Sequence, residues 1–137
     1  MEGFRLTVIT QEGTIVDREV LSVTAPGTEG YLGIWHNHAP LATALDAGTL
    51  TVKETDGRTG LYAVSGGFLE VSRNVVTLLA DSIERSDEID PSRAQQSVDR
   101  ALKRLELTTA DFDIDRVQRA LKRNRLRLKL AERSSTH

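Results

Sequence analysis

Cysteine is absent from this 137-residue chain, and aromatic residues make up only 4% of it. Without thiols the chain forms neither a disulfide framework nor a thiolate metal site. Its apolar runs are far shorter than the roughly 20 residues that a membrane-spanning helix requires. These absences exclude a disulfide-stabilised fold and a helical membrane protein, so any membrane association is expected to come only indirectly, through a partner.

Glycine is confined to the first half of the chain, where all ten glycines lie between Gly3 and Gly67. Apolar residues mostly alternate up to about residue 85, as in strands, and recur at helical spacing beyond it. Charge divides at the same place, since residues 1–84 carry 5 Lys or Arg against 11 Asp or Glu, whereas residues 85–137 carry 13 against 9. The sequence therefore predicts an acidic β domain over residues 1–84 and a basic helical domain over residues 85–137.

Strand patterns recur about every ten residues in the β domain and are separated by turn residues. Asp56-Gly57 predicts one of these turns, because glycine adopts positive φ without steric cost. Arg73-Asn74 predicts another. Many short strands at this spacing predict an antiparallel β-sandwich or flattened barrel. The predicted strands cover residues 4–8, 16–23, 49–53, 61–64, 68–71 and 75–80.

The helical domain is predicted to begin with a capped helix. The Asp90 carboxylate can accept from free amides of the first turn, and Pro91 fits the first helical position. One face of this helix is apolar and is expected to be buried. The residues of this face are Ala94, Val98, Ala101, Leu102 and Leu105.

A second helix is predicted after a polar turn at residues 108–111, from Asp113 or Asp115 to about Arg133. The two helices, of about 16 and about 19 residues, are close enough in length to form an antiparallel hairpin. Leu126 and Leu130 lie partly off the apolar stripe and indicate a second apolar contact. The stripe itself consists of Val117, Ala120, Leu121, Leu128 and Ala131.

Cations crowd the second helix, where only Glu132 opposes Arg116, Arg119, Lys122, Arg123, Arg125, Arg127, Lys129 and Arg133. Such a face is often simply solvated, yet like charges four residues apart repel by a few tenths of a kcal/mol. An anionic partner would relieve that repulsion. Arginines from both helices of a hairpin suit a triphosphate, because guanidinium binds phosphate oxygens in bidentate fashion. An acidic protein surface is the alternative partner. Nucleic acid is disfavoured, since a stacking platform is missing.

No set of residues in the sequence indicates catalysis. His36 and His38 form an H-x-H pair without a clustered third ligand, so they predict a loop, in which Asn37 tolerates left-handed backbone, rather than a metal site. Ser65-Gly66-Gly67 precedes a strand, whereas a nucleophile elbow or a phosphate loop precedes a helix. Tyr31 and Trp35 lie in a glycine-rich segment and fit a core position and an interface patch equally well.

Several separate segments of the chain together resemble the epsilon subunit of bacterial F-type ATP synthase. They are GYLGI at residues 30–34, HAPL at 38–41, GGFLEV at 66–71 and IDPSRA at 89–94. They occur in the family's order and cover essentially the whole chain. The resemblance implies a β-sandwich of about ten strands followed by a helical hairpin, in a non-catalytic subunit that needs no cofactor. Asn37 departs from the family pattern, which usually has glycine there.

The resemblance also implies partners and a location. The sandwich would bind the gamma subunit and the c-subunit ring as part of the rotor, with contact residues Glu29, Gly30, Tyr31 and His38. The hairpin would either fold down or extend along gamma into the alpha/beta catalytic hexamer, and the extended form would inhibit ATP hydrolysis. The subunit would be peripheral on the cytoplasmic face of the bacterial plasma membrane.

ATP is the regulatory ligand that the resemblance implies, because in some family members ATP binds the folded hairpin and holds it down. Ile89, Asp90 and Ala94 would contact the adenine, and the arginines would contact the phosphates. The full set of matching positions is Glu84, Ile89, Asp90, Arg93, Ala94, Arg100, Arg123 and Arg127. The alternative is a fixed protein-docking hairpin that binds no nucleotide.

Overall fold

In the computed structural model, the backbone is described for residues 2–107 and 111–135, and side chains for residues 2–107 and 114–133. The chain divides into two compact units, Met1–Glu84 and Arg85–His137. Strands form the first unit, and the second contains a short 3₁₀ helix at Ser86–Glu88 followed by two long helices. This arrangement confirms the predicted fold class, while the predicted turn at residues 108–110 lies outside the described residues.

Alternation of side chains produces the strands of the first unit, because one face of each strand packs inward. In the first strand, for example, Leu6 and Val8 are buried, whereas Arg5 is exposed. The described residues form nine strands rather than the expected ten or so. They are β1 (Phe4–Thr10), β2 (Gly13–Gly27), β3 (Gly30–Ile34), β4 (Leu41–Leu45), β5 (Gly48–Glu54), β6 (Thr59–Val64), β7 (Gly67–Ser72), β8 (Val75–Ala80) and β9 (Ile83–Arg85).

The long strand β2 joins the two sides of the sandwich. Its first half pairs with β1, and its second half pairs with β3 and β5 after a register shift between Val20 and Ser22. The strand order is β1-β8-β7-β4-β2-β5-β6-β9, and β1 also returns to pair with β2. Strands β1 and β8 are parallel. The resulting flattened barrel encloses the core, whose largest fully buried side chains are Leu6, Ile34, Leu50, Leu69 and Leu78.

Most of the predicted strands and turns are confirmed. Gly57 has φ +87° between β5 and β6, and both Arg73 and Asn74 have positive φ between β7 and β8. The residue pattern did not predict the three-residue strand β9, and it also missed β3 and β4. Both strands are short, and their exposure does not alternate cleanly along the chain.

The second unit contains α1 (Pro91–Leu107) and α2 (Asp111–Ser135). The predicted cap at the start of α1 is confirmed, because Asp90 Oδ1 accepts the amides of Ser92 at 2.9 Å and Arg93 at 3.3 Å. Helix α2 has 25 residues and is longer than predicted, since it begins at Asp111 and ends at Ser135.

The two helices pack through a small apolar interface. Val98 and Ala101 of α1 meet Val117 and Leu121 of α2, and Leu105 covers the edge of this cluster. The prediction that Leu102 is buried was wrong. Its side chain is 37% exposed, because it lies about 100° further around the helix than Ala101.

Asp90→Ala is expected to destabilise the first turn of α1 by about 1 kcal/mol, because the Ser92 and Arg93 amides lose their side-chain acceptor. Amide hydrogen exchange of the first turn should therefore become faster. Asp90→Asn is the matched control, since asparagine caps helices about as well as aspartate. Equal exchange in the alanine and asparagine variants would contradict the capping role.

Candidate functional site

An apolar row crosses the outer face of four adjacent strands in the first unit. Strand pairing places Ala44 of β4 beside Phe68 of β7, Phe68 beside Leu79 of β8, and Leu79 beside Ile9 of β1. We call these four residues the outer row. Phe68 is 63% exposed and Leu79 is 49% exposed, whereas Ala44 and Ile9 are partly buried.

The outer row arises from the same alternation that builds the core. Leu69 of β7 and Leu78 of β8 point inward and are fully buried, so their neighbours Phe68 and Leu79 point outward. The next residues on the outer face of these two strands are Glu70 and Thr77, which are polar. A contiguous exposed apolar stripe with a polar border is typical of a protein interaction site. Sequence reasoning missed this stripe, because it depends on which strands become neighbours.

The four residues predicted to contact the rotor lie at the two ends of β3. Glu29 is in the exposed turn before β3, and Gly30 and Tyr31 begin the strand. His38 lies beyond its other end, in the loop that leads to β4, where Nδ1 donates to the carbonyl oxygen of Ala39 at 2.7 Å. Four residue steps along β3 amount to roughly 13 Å. The structure therefore groups Glu29, Gly30 and Tyr31 and places His38 apart from them.

The Glu29 turn lies next to the outer row. The amide of Thr28 donates to the carbonyl oxygen of Ala44 at 3.1 Å, and Gly27 pairs with Leu45. Ala44 is the end member of the row on β4. The outer row and the predicted contact residues Glu29, Gly30 and Tyr31 thus belong to one continuous part of the surface.

Tyr31 and Trp35 are surface residues. Tyr31 is 61% exposed and Trp35 is 56% exposed, so neither residue belongs to the core. Their exposure is consistent with the interface interpretation. Each is nevertheless held in place. The Tyr31 hydroxyl accepts the Thr49 amide at 3.0 Å, and a Cβ atom at Gly33 would lie 2.8 Å from the Trp35 ring. Large aromatic side chains with restricted freedom are favoured at interfaces.

The residues predicted to contact adenine are only partly accessible in the second unit. Ile89 and Ala94 are buried, and Asp90 is exposed but uses Oδ1 for the helix cap. Glu84, the remaining acidic member of the predicted set, lies on β9 at the end of the first unit. The adenine contacts stay a prediction.

The four arginines predicted to contact phosphate lie on both helices of the hairpin. Arg93 and Arg100 are exposed on α1, Arg123 is exposed on α2, and Arg127 is half-buried on α2. Two of these side chains make local hydrogen bonds, from Arg100 to Ser97 at 3.1 Å and from Arg127 to Asn124 at 3.2 Å. All four arginines belong to the helical unit, and their contacts with phosphate stay a prediction.

The ion pairs that shift titration lie elsewhere, on the β unit. The hydrogen bond from Arg5 lowers the pKa of the Asp17 carboxyl, and both groups are on the surface. The hydrogen bond to Glu54 raises the pKa of Arg18, which also donates to the Tyr62 hydroxyl at 3.1 Å. These contacts link β1 to β2 and β2 to β5 and β6, so they are structural. Among the side chains described for residues 2–107 and 114–133, no cluster of three or more metal-ligating groups occurs.

Comparison with known proteins matches both units to one family. Residues 3–86 match the beta-sandwich domain of the ATP synthase delta/epsilon chain, and residues 87–132 match its long alpha-helix domain. The ATP synthase epsilon chain of Moorella thermoacetica is 44% identical over 131 residues, which cover 96% of this chain and 98% of that protein.

Two solved structures share the fold. A chain in the cryo-EM structure of the Euglena gracilis mitochondrial ATP synthase, containing OSCP, F1 and the c-ring, aligns with a TM-score of 0.79 at 22% identity. The alignment covers 100% of this chain and 83% of that one. A chain in the central stalk and c-ring structure of the Tetrahymena thermophila mitochondrial ATP synthase aligns with a TM-score of 0.69 at 17% identity, covering 93% and 95%.

The β-sandwich, the helical hairpin and the family matches define a delta/epsilon-type subunit of an ATP synthase. The chain belongs to the ATP synthase delta/epsilon family, as a bacterial-type epsilon subunit. The resemblance seen in the segments from GYLGI to IDPSRA is thereby confirmed. In the two described ranges, no helix is both long and apolar enough to span a membrane.

Proposed function

We propose that the β unit docks this subunit on the rotor, by binding the gamma subunit through the outer row and the c ring through the Glu29 turn. The observation that carries the proposal is the exposed row of Phe68 and Leu79, which leaves large apolar side chains in water on an otherwise polar face. Burial of such side chains against a partner is favourable in proportion to the apolar area removed from water. His38, at the far end of β3, is proposed to belong to the same contact with the c ring and gamma.

A subunit that docks in this way couples gamma to the c ring without crossing the bilayer. The neighbouring proteins of the same fold occur in assemblies that contain a c-ring, which supports this placement. The location that follows is peripheral, on the cytoplasmic face of the bacterial plasma membrane, with the membrane reached only through the complex.

The helical unit is proposed to regulate ATP hydrolysis by moving. Its described residues bury eight apolar side chains, and four of these form the cluster between the helices, namely Val98, Ala101, Val117 and Leu121. An interface of this size leaves room for a folded and an extended state that differ by only a few kcal/mol. In the extended state the cations of α2 would meet the alpha/beta hexamer and oppose rotation in the hydrolysis direction.

ATP is proposed to select the folded hairpin. A ligand that binds one state alone stabilises it by RT ln(1 + [L]/Kd), which is about 2.7 kcal/mol at a hundredfold excess over Kd. That bias is comparable to the expected difference between the two states, so a fall in ATP would release the hairpin. The part of the predicted site that lies in the helical unit consists of Ile89, Asp90, Arg93, Ala94, Arg100, Arg123 and Arg127.

Arg93→Ala and Arg127→Ala are each expected to weaken ATP binding by about tenfold or more, because each removes a charge-assisted hydrogen bond to phosphate. Isothermal titration of the full chain with ATP measures the effect. Arg125→Ala is the matched control, since it removes the same charge from an exposed position of α2 outside the predicted set. An equal loss in all three variants would indicate nonspecific attraction, and absence of binding to the parent chain would remove the nucleotide-sensing part.

Hydrogen exchange of the hairpin with and without ATP separates a mobile hairpin from a fixed docking arm. Slower exchange throughout α1 and α2 on ATP addition supports the mobile, ATP-held hairpin. Exchange that ATP leaves unchanged favours the fixed protein-docking arm and leaves the rotor-binding part of the proposal intact.

A further inference from the structure

Asn74 connects three segments of the β unit through its own polar atoms. Its side-chain Oδ1 accepts the amide of Asn37 at 2.7 Å, and its side-chain Nδ2 donates to the carbonyl oxygen of Gly3 at 3.3 Å. Its backbone carbonyl oxygen accepts the amide of Arg5 at 3.2 Å. The β7–β8 turn, the start of β1 and the loop between β3 and β4 therefore meet at one residue.

The turn itself does not require the asparagine side chain. Arg73 and Asn74 both have left-handed φ, at 52° and 62°, as in the tight hairpin turns that favour asparagine and glycine. Glycine would adopt this conformation at least as readily as asparagine. What asparagine adds at this position is the pair of hydrogen bonds from its amide group.

One of those bonds holds the loop over residues 35–40, which carries Trp35 and His38. Asn37 at the centre of this loop also has left-handed φ, at 58°, and its amide points to Asn74 Oδ1. Because Trp35 lies two positions before Asn37 and His38 lies one position after it, the orientation of both side chains depends on how the loop backbone is fixed.

We propose that Asn74 is a positioning residue that fixes the loop over residues 35–40 and thereby presents His38 and Trp35 to the stalk. The presentation of His38 and Trp35 to the stalk rests on the proposed rotor-docking function, whereas the fixing of the loop by Asn74 is a property of the free chain. The hydrogen bond from the Asn37 amide to Oδ1 is the contact that does the positioning.

Three variants of the full chain test the proposal. Asn74→Gly keeps the turn conformation and removes the side-chain amide. Asn74→Asp restores an oxygen acceptor for the Asn37 amide and serves as the conservative rescue. Arg73→Gly changes the neighbouring turn residue and leaves Asn74 in place, so it controls for effects of glycine in the turn.

Amide exchange of Asn37, measured by NMR, is expected to become about tenfold or more faster in Asn74→Gly, as for the loss of one good hydrogen bond. Exchange of the β7 and β8 amides should not change. Asn74→Asp and Arg73→Gly should keep the slow exchange of Asn37. An Asn37 amide that exchanges at the parental rate in Asn74→Gly would overturn the proposal.

Affinity for the gamma subunit is the second readout. Asn74→Gly is expected to bind gamma about tenfold more weakly, with most of the affinity restored in Asn74→Asp. Parental affinity in Asn74→Gly despite faster Asn37 exchange would refute the presentation of the loop to the stalk. Failure of the parent chain itself to bind gamma would refute the proposed docking function, and Asn37 exchange would still decide whether Asn74 fixes the loop.

Discussion

Leu78→Ala is expected to lower the free energy of unfolding of the β unit by about 2–5 kcal/mol. Leu78 is fully buried in the core of the flattened barrel, where Leu6 and Leu69 also lie. Removal of three carbon atoms loses their transfer free energy and leaves a cavity that a close-packed interior closes only in part. Denaturant unfolding measures the loss, with Trp35 fluorescence as a probe because Trp35 is the only tryptophan and belongs to the β unit.

Leu79→Ala is the matched control for this experiment. It removes the same atoms from the next residue of β8, but Leu79 is half-exposed on the opposite face. Its effect on the free energy of unfolding should stay within about 0.5 kcal/mol. Similar losses of stability in both variants would contradict the assignment of Leu78 to the buried face of β8 and of Leu79 to its exposed face.

Phe68→Ala is expected to weaken binding of the full chain to the gamma subunit by about 30-fold or more, since truncation of a central aromatic anchor commonly costs about 2 kcal/mol. The free energy of unfolding should change little, because the ring is largely in water in the free chain. Titration of gamma with the fluorescence of Trp35 as signal measures the affinity.

Glu70→Ala is the control for Phe68→Ala, because Glu70 lies two residues further along β7 on the same outer face. It should change the affinity for gamma only about twofold, as for a charge at the rim of an interface. A larger loss for Glu70→Ala than for Phe68→Ala would place the binding energy in the polar border rather than in the outer row.

Local features of this fold could be predicted because neighbours in sequence determine them. The cap at Asp90 needs only the amides of the next turn, and the turns at Gly57 and Asn74 need only a residue that tolerates positive φ. Strands such as β1 and β5 were predictable from alternation alone. The division into a β domain and a helical domain followed from the change of period.

The outer row could not be predicted in this way, because it depends on pairing between distant segments. Ile9 and Leu79 become neighbours only through the parallel pairing of β1 with β8, and Ala44 joins them through β4, which the residue pattern did not predict. The alternation of side chains between the two faces of β7 and β8 did predict part of the outer row. It placed Phe68 on the same face as Glu70 and opposite the buried Leu69.

The helices show a similar limit. Periodicity predicted the buried positions Val98, Val117 and Leu121. It assigned Leu102 to the buried face as well, because a broad apolar stripe does not show how far around α1 the contact with α2 reaches. The prediction for Leu130 fared better, because it was expected to lie partly off the stripe in a second apolar contact and it is nearly fully buried. The roles of the residues predicted to contact ATP depend on a ligand, and the periodicity of apolar residues carries no information about ligands.

Hydroxyl-radical footprinting of the free chain and of its complex with gamma tests rotor docking most directly, because it measures the exposure of individual side chains. Phe68 and Leu79 are exposed in the free chain and should react readily. Docking through the outer row predicts that both become strongly protected in the complex. A complex that forms while Phe68 and Leu79 react at their free rates would contradict it.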